Sequence, residues 1–182
     1  MSGPLPRVVQ RARGPRGGGL LPARPAGTFP VPSLYLPCTF AEEAYFLRGP
    51  QGTHAEWGTR LFDYGCRETL RLLLANLCHW ARAFRIDGVR FDAVSTALYR
   101  HRSLGGAGAF NRGLADYYEP GKCQVDDDAL AYFSLANLIC HDLIRPPLLS
   151  LAEEHSGLPG LCAHISRAGL GFDFRMAMGA PR

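Results

Sequence analysis

Two short apolar runs in this chain end in a carboxylate, and a helical pattern precedes each of them. The first is Ile86-Asp87-Gly88-Val89-Arg90-Phe91-Asp92-Ala93-Val94. Strand side chains alternate, so Val89, Phe91 and Ala93 point one way and Arg90 and Asp92 the other. A cation and an anion thus share one face of an otherwise apolar strand. Burying charge is costly unless it is paired or used. Taken alone, the pair is as well explained by a structural ion pair as by a reactive site. The second run, Leu148-Leu149-Ser150-Leu151-Ala152-Glu153, places Leu149, Leu151 and Glu153 on one face and again ends in a carboxylate.

The elements around these runs set the fold class. Leu70, Leu73, Leu74, Leu77, Trp80, Ala81 and Phe84 recur at intervals of three and four, which predicts a helix over 67–85, with a strand over 89–94 behind it. A second helix is expected over 126–145. Asp126 can cap it, Asp127 and Asp128 suit its first turn, and Pro146-Pro147 stops it. A third apolar piece begins near Gly171-Phe172-Asp173-Phe174-Arg175. Helix, strand, helix, strand, loop and an expected third strand amount to βαβ alternation, an α/β fold with a parallel sheet and right-handed crossovers. Chemistry in such folds sits at the carboxyl ends of the strands. Asp92 and Glu153 both lie there, on neighbouring strands about 4.8 Å apart.

Composition narrows the function classes. Residues 1–41 hold five arginines and no acid, while the remainder carries 15 basic and 16 acidic residues, so the formal charge of +4 resides in the N-terminal stretch. The nearly neutral remainder has no basic face for nucleic acid. No apolar run reaches the roughly 20 residues of a membrane helix. The six cysteines form no C-x-x-C pair and no metal-binding cluster, and no cofactor motif is present; Cys78 and Cys140 read as core residues. Residues 1–33 are rich in Gly, Pro and Arg and are expected to be a disordered tail, either a transit peptide or a non-native start. Residues 34–182 form the folded unit. Its first part, 34–64, is a loop rich in aromatics, and residues 100–122 read as a Gly-rich insertion without a phosphate-loop register.

A carboxylate pair about 5–5.5 Å apart suits a retaining glycosidase mechanism. Asp92 fits the nucleophile, kept ionised by Arg90 two residues earlier. Glu153, at the end of an apolar strand, is expected to have a raised pKa and to act as acid/base. Glu154 points to the opposite face. Water as acceptor gives hydrolysis and a sugar hydroxyl gives glycosyl transfer; the two carboxylates do not choose between these.

Several motifs, in order, carry a resemblance: Gly52-Thr53-His54 … Trp57 … Arg60-Leu61-Phe62-Asp63-Tyr64; Phe84 to Asp92; Gln124-Val125-Asp126-Asp127-Asp128-Ala129-Leu130; Leu135-Ala136-Asn137; Ala152-Glu153-Glu154-His155-Ser156-Gly157-Leu158-Pro159; and Gly171 to Met178. Over about 45–182 the chain resembles the 1,4-α-glucan (glycogen/starch) branching enzymes of eukaryotic type, in the α-amylase superfamily. The resemblance implies a (β/α)8 TIM barrel, of which the middle portion is represented. It implies cleavage of an α-1,4-glucan such as glycogen, amylose or amylopectin, and transfer of the segment to a 6-hydroxyl as an α-1,6 branch. It implies Asp92 as nucleophile, Glu153 as acid/base, and Arg90 as their support. His54, Trp57, Arg60 and Tyr64 are candidate substrate contacts. No cofactor or metal is implied, and a cytoplasmic (alternatively plastid) monomer is expected.

The chain departs from the family pattern in several places. No D-x-x-x-x-H motif and, after Glu153, no His-Asp pair occur in the 182 residues, Gly58 replaces an expected Asp, and Arg100 and Arg102 replace histidines around His101. A partial barrel leaves strand edges unpaired. The chain alone is therefore expected to be poorly stable and inactive. The alternatives are a non-catalytic glucan-binding remnant or another α-amylase-type hydrolase.

Overall fold

The computed structural model describes residues 7–9, 44–55, 57–102 and 125–176. They form a mixed α/β arrangement around a four-stranded sheet of order β1-β2-β3-β4. Strand β1 (Arg7–Val9) pairs antiparallel with β2 (Gly88–Phe91). Strand β2 pairs in parallel with β3 (Leu149–Glu153), and β3 in parallel with β4 (Phe174–Met176). The parallel β2–β3–β4 core is the alternation expected from the sequence. β1 is a departure: it lies inside the stretch read as a disordered tail. Its backbone covers the outer edge of β2, which would otherwise present open N–H and C=O groups. The remainder of 1–33 lies outside the described residues, as do Cys38, Cys123 and almost all of the Gly-rich insertion.

Helix α1 (Arg67–Phe84) follows the leucine spacing closely. Thr69, Leu73, Leu77 and Ala81 are its buried face. Trp80 and Phe84, also assigned to the stripe, are exposed and lie against one another with centroids 4.6 Å apart and planes tilted by 31°. Glu68 in the first turn and Arg82 in the last complement the helix dipole, and Arg85 at φ 48° ends the helix.

Strand β2 is shorter than expected. It stops at Phe91, Ala93 adopts φ 53°, and Val94 begins a five-residue helix α2 (Val94–Leu98). The chain must turn at once from strand to helix here, and a left-handed residue achieves that in one step. At the other end of β2 only a glycine fits: a Cβ on Gly88 would lie 2.8 Å from the Leu149 carbonyl oxygen of the paired strand.

Helix α3 (Asp127–Leu138) starts as read, with the Asp126 side chain accepting from the Ala129 N–H. Its continuation to 145 is not α-helical, because Ile139–Leu143 widen into a π-helical turn. The core lies between these helices and one sheet face. Phe91, Phe133 and Phe172 form a triangle with centroids 5.5 to 5.8 Å apart. Ala136, Cys140 and Ala152 are fully buried beside them. Burial pushes the Cys140 thiol up to about 12, consistent with its reading as a core residue. Among the described residues no helix is long and apolar enough to cross a membrane.

Candidate active site

The sheet register sets the site. Arg90 pairs with Leu151 and Phe91 with Ala152, so one step further brings Asp92 level with Glu153. Alternation puts Val89, Phe91, Ser150 and Ala152 under the helices and leaves Arg90 and Glu153 on the other, half-buried face. Arg90 bridges the two carboxylates. One guanidinium nitrogen, Nη2, lies 3.0 Å from Asp92 Oδ1 and 2.7 Å from Glu153 Oε2. Both oxygens are thus within reach of one cation.

Glu153 has further partners. The Ala93 N–H donates to Oε2 at 3.3 Å, and His155 Nε2 lies 3.8 Å from Oε1. The left-handed conformation of Ala93 therefore aims an amide at the carboxylate, a strained residue placed beside the two acids. The expected rise in the Glu153 pKa is not found. A hydrogen bond with the Asp92 side chain holds the Glu153 carboxyl below the usual range; burial opposes this, and the Ala93 amide and Arg90 reinforce it. The apolar pattern of β3 indicated desolvation. It could not show a cation, an amide and a second carboxyl arriving from β2.

Glu154 takes the opposite face, as expected, and is buried at 1 % exposure. Its Oε1 accepts from Ser95 Oγ at 3.2 Å and from the Ser156 N–H at 2.6 Å, as well as from the Ser156 hydroxyl. Its Oε2 accepts from the Gly157 N–H and lies 3.2 Å from Arg175 Nε. The Tyr99 hydroxyl and Ser156 Oγ are 2.7 Å apart, and Ser95 Oγ also accepts from the His155 N–H. Sequence reasoning missed Ser95, Tyr99, Ser156 and Arg175. One signal was available: Arg175 is a cation on an apolar strand, the same anomaly that marked Arg90.

The aromatic loop reaches this site. Trp57, Arg60, Tyr64, Asp92 and Arg102 line a single open cleft. Trp57 is 48 % exposed. Arg60 lies over the Phe46 ring at 5.3 Å and donates from Nε to the Gly52 carbonyl. Tyr64 stacks on Tyr132 at 5.1 Å, and desolvation pushes its hydroxyl far above the usual phenol range. Arg102 is tied to Asp126 at 3.0 Å and to the Ala97 carbonyl. His54 does not face the cleft. It is buried, with both ring nitrogens within hydrogen-bond distance of backbone groups.

A cation bonded to two carboxylates at parallel strand ends, beside an aromatic cleft, favours the ionised form of both. Comparison with known proteins agrees with the resemblance seen in the motifs. No family model matches the chain. The chain is 44 % identical over 140 residues to a 1,4-alpha-glucan-branching enzyme of Equus caballus, covering 77 % of this chain and 19 % of that protein. It is 41 % identical over 143 residues to one of Candida glabrata, covering 78 % and 20 %. It is 42 % identical over 140 residues to a chloroplastic/amyloplastic one of Oryza sativa subsp. japonica, covering 76 % and 16 %. Over about three quarters of its length the chain is therefore similar to 1,4-alpha-glucan-branching enzymes, and it spans about a fifth of the length of the relatives it matches.

Proposed function

We propose that the site built on Asp92 and Glu153 is that of a 1,4-α-glucan branching reaction, carried on a segment of a (β/α)8 barrel. The observation that carries the reading is the Arg90 bridge, which sets two carboxylates at the ends of adjacent parallel strands. Asp92 attacks the anomeric carbon and displaces the glucan oxygen, which takes a proton from Glu153. The resulting glycosyl ester removes the Asp92 charge. Glu153, now a carboxylate, takes the proton of an incoming 6-hydroxyl as that oxygen displaces Asp92, leaving an α-1,6 linkage. In the free site Glu153 titrates low, which favours its carboxylate form. A glucan lying in the cleft excludes water from Glu153 and favours its protonated form. The substrate class is α-glucan, as glycogen, amylose or amylopectin, acted on by a monomer in the cytoplasm or a plastid.

The 182-residue polypeptide is expected to bind glucan without turnover, because the downstream His-Asp pair implied by the family does not occur in it. An iodine-stain branching assay of the purified chain should therefore be negative, and robust branching overturns this point. The Asp92 assignment is tested with an α-maltooligosyl fluoride, whose leaving group needs no proton. A glycosyl ester located on Asp92 by mass spectrometry, and absent from Asp92→Asn, is the expected result. An adduct elsewhere, or none, overturns it.

A further inference from the structure

Trp57 lies flat on His54, with ring centroids 4.1 Å apart and planes 14° from parallel. His54 is only 1 % exposed. Its Nδ1 accepts from the Trp57 N–H at 3.3 Å. Nε2 must then carry the ring hydrogen, and it donates to the Arg102 carbonyl at 2.8 Å. Both nitrogens are occupied, so His54 has no polar atom left for a ligand. The loop that holds the pair is tight. Thr53 bridges to Arg60, the His54 N–H donates to the Thr59 carbonyl at 2.8 Å, and the Gly58 N–H donates back to the His54 carbonyl at 2.8 Å. Gly58 makes the turn at φ 63°. The His54–Arg102 bond ties this loop to the end of the β2–α2 segment that bears Asp92.

The result is a half-exposed indole with one face backed by a buried imidazole, lining the same cleft as Asp92 and Arg60. An aromatic plane of fixed tilt matches the apolar C–H face of a pyranose ring, and the neighbouring Arg60 suits its hydroxyls. We infer that Trp57 is a stacking platform for one glucose ring of an α-glucan, and that His54 is a positioning residue that sets the platform's angle without touching the sugar. This rests on reading the cleft as a glucan site, and it separates the roles of two residues that the motif alone places together.

The test uses the whole chain. The sequence holds two tryptophans, so Trp80→Phe leaves Trp57 as the sole indole. Maltoheptaose should change its fluorescence. Trp57→Ala should weaken maltoheptaose binding about tenfold by calorimetry, with Trp57→Phe in between. His54→Gln keeps an acceptor and a donor but removes the ring beneath the indole. It should weaken binding several-fold and shift the fluorescence response, while Trp57→Phe/His54→Gln should lose little more than Trp57→Phe alone. Trp57 is exposed, so the Trp57→Ala variant keeps the test independent of any folding defect in His54→Gln. No maltoheptaose binding by the chain, or unchanged binding in Trp57→Ala, overturns the platform. Unchanged binding in a folded His54→Gln overturns the positioning role. A Trp57 response without a glycosyl ester on Asp92 leaves the platform standing and removes the Asp92 assignment. An ester on Asp92 with Trp57 silent does the reverse.

Discussion

Arg90 Nη2 sits between Asp92 and Glu153, 3.0 Å from one carboxylate and 2.7 Å from the other, and no second cation makes a comparable bridge to them among the described residues. Replacing it removes that shared cation from two neighbouring carboxyls. Arg90→Met should cost about 2 kcal/mol at pH 7, less than a fully buried pair because all three side chains retain some exposure. The loss should shrink as pH falls and the pair takes up protons. Urea unfolding at pH 7 and pH 4 checks both statements.

The lowered Glu153 pKa gives a pH dependence with a definite sign. Its carboxyl titrates lower in the folded protein than in the unfolded chain, where the value is about 4.3. The stabilisation is therefore complete above that value and is lost as pH falls through the lower folded one. Thermal melts should show Glu153→Gln converging with the parent below pH 4 and less stable than it at pH 7.

Glu154 holds the loop behind Glu153, and its burial makes its removal costly. Glu154→Ala leaves Ser95, the Ser156 hydroxyl and two backbone amides without their acceptor, and Arg175 without its ion-pair partner. A loss of about 3 kcal/mol is expected, larger than for Glu153→Ala. Comparing the two by urea denaturation tests the order.

The tight contact at Gly88 should be equally visible. In Gly88→Ala the new Cβ meets the Leu149 carbonyl oxygen, a backbone atom with no side-chain freedom to move aside, and the β2–β3 register must shift. A loss of about 2 kcal/mol is expected. Amide exchange should be faster across β2 and β3 than in α1.

Asp126 combines a helix cap with an ion pair to Arg102. Asp126→Ala should cost about 1–2 kcal/mol, and Asp126→Asn less, because Asn keeps the cap. Chemical denaturation of the two variants separates cap from ion pair.

Local patterns carried much of this molecule. The leucine spacing defined α1, Asp126 marked the start of α3, and alternation around Arg90 and before Glu153 marked the two strands with their carboxylate ends. These features are legible because helix and strand periods repeat within a few residues. The tertiary structure decided the rest. It set Arg90 between carboxylates 61 residues apart in the chain, turned Ala93 to aim its amide at Glu153, and lowered a titration expected to rise. It withdrew His54 from the cleft, left Trp57 in it, and laid Arg7–Val9 along the edge of β2. Electrostatics and edge pairing depend on which groups meet across the fold, and the period of a single segment does not record its neighbours.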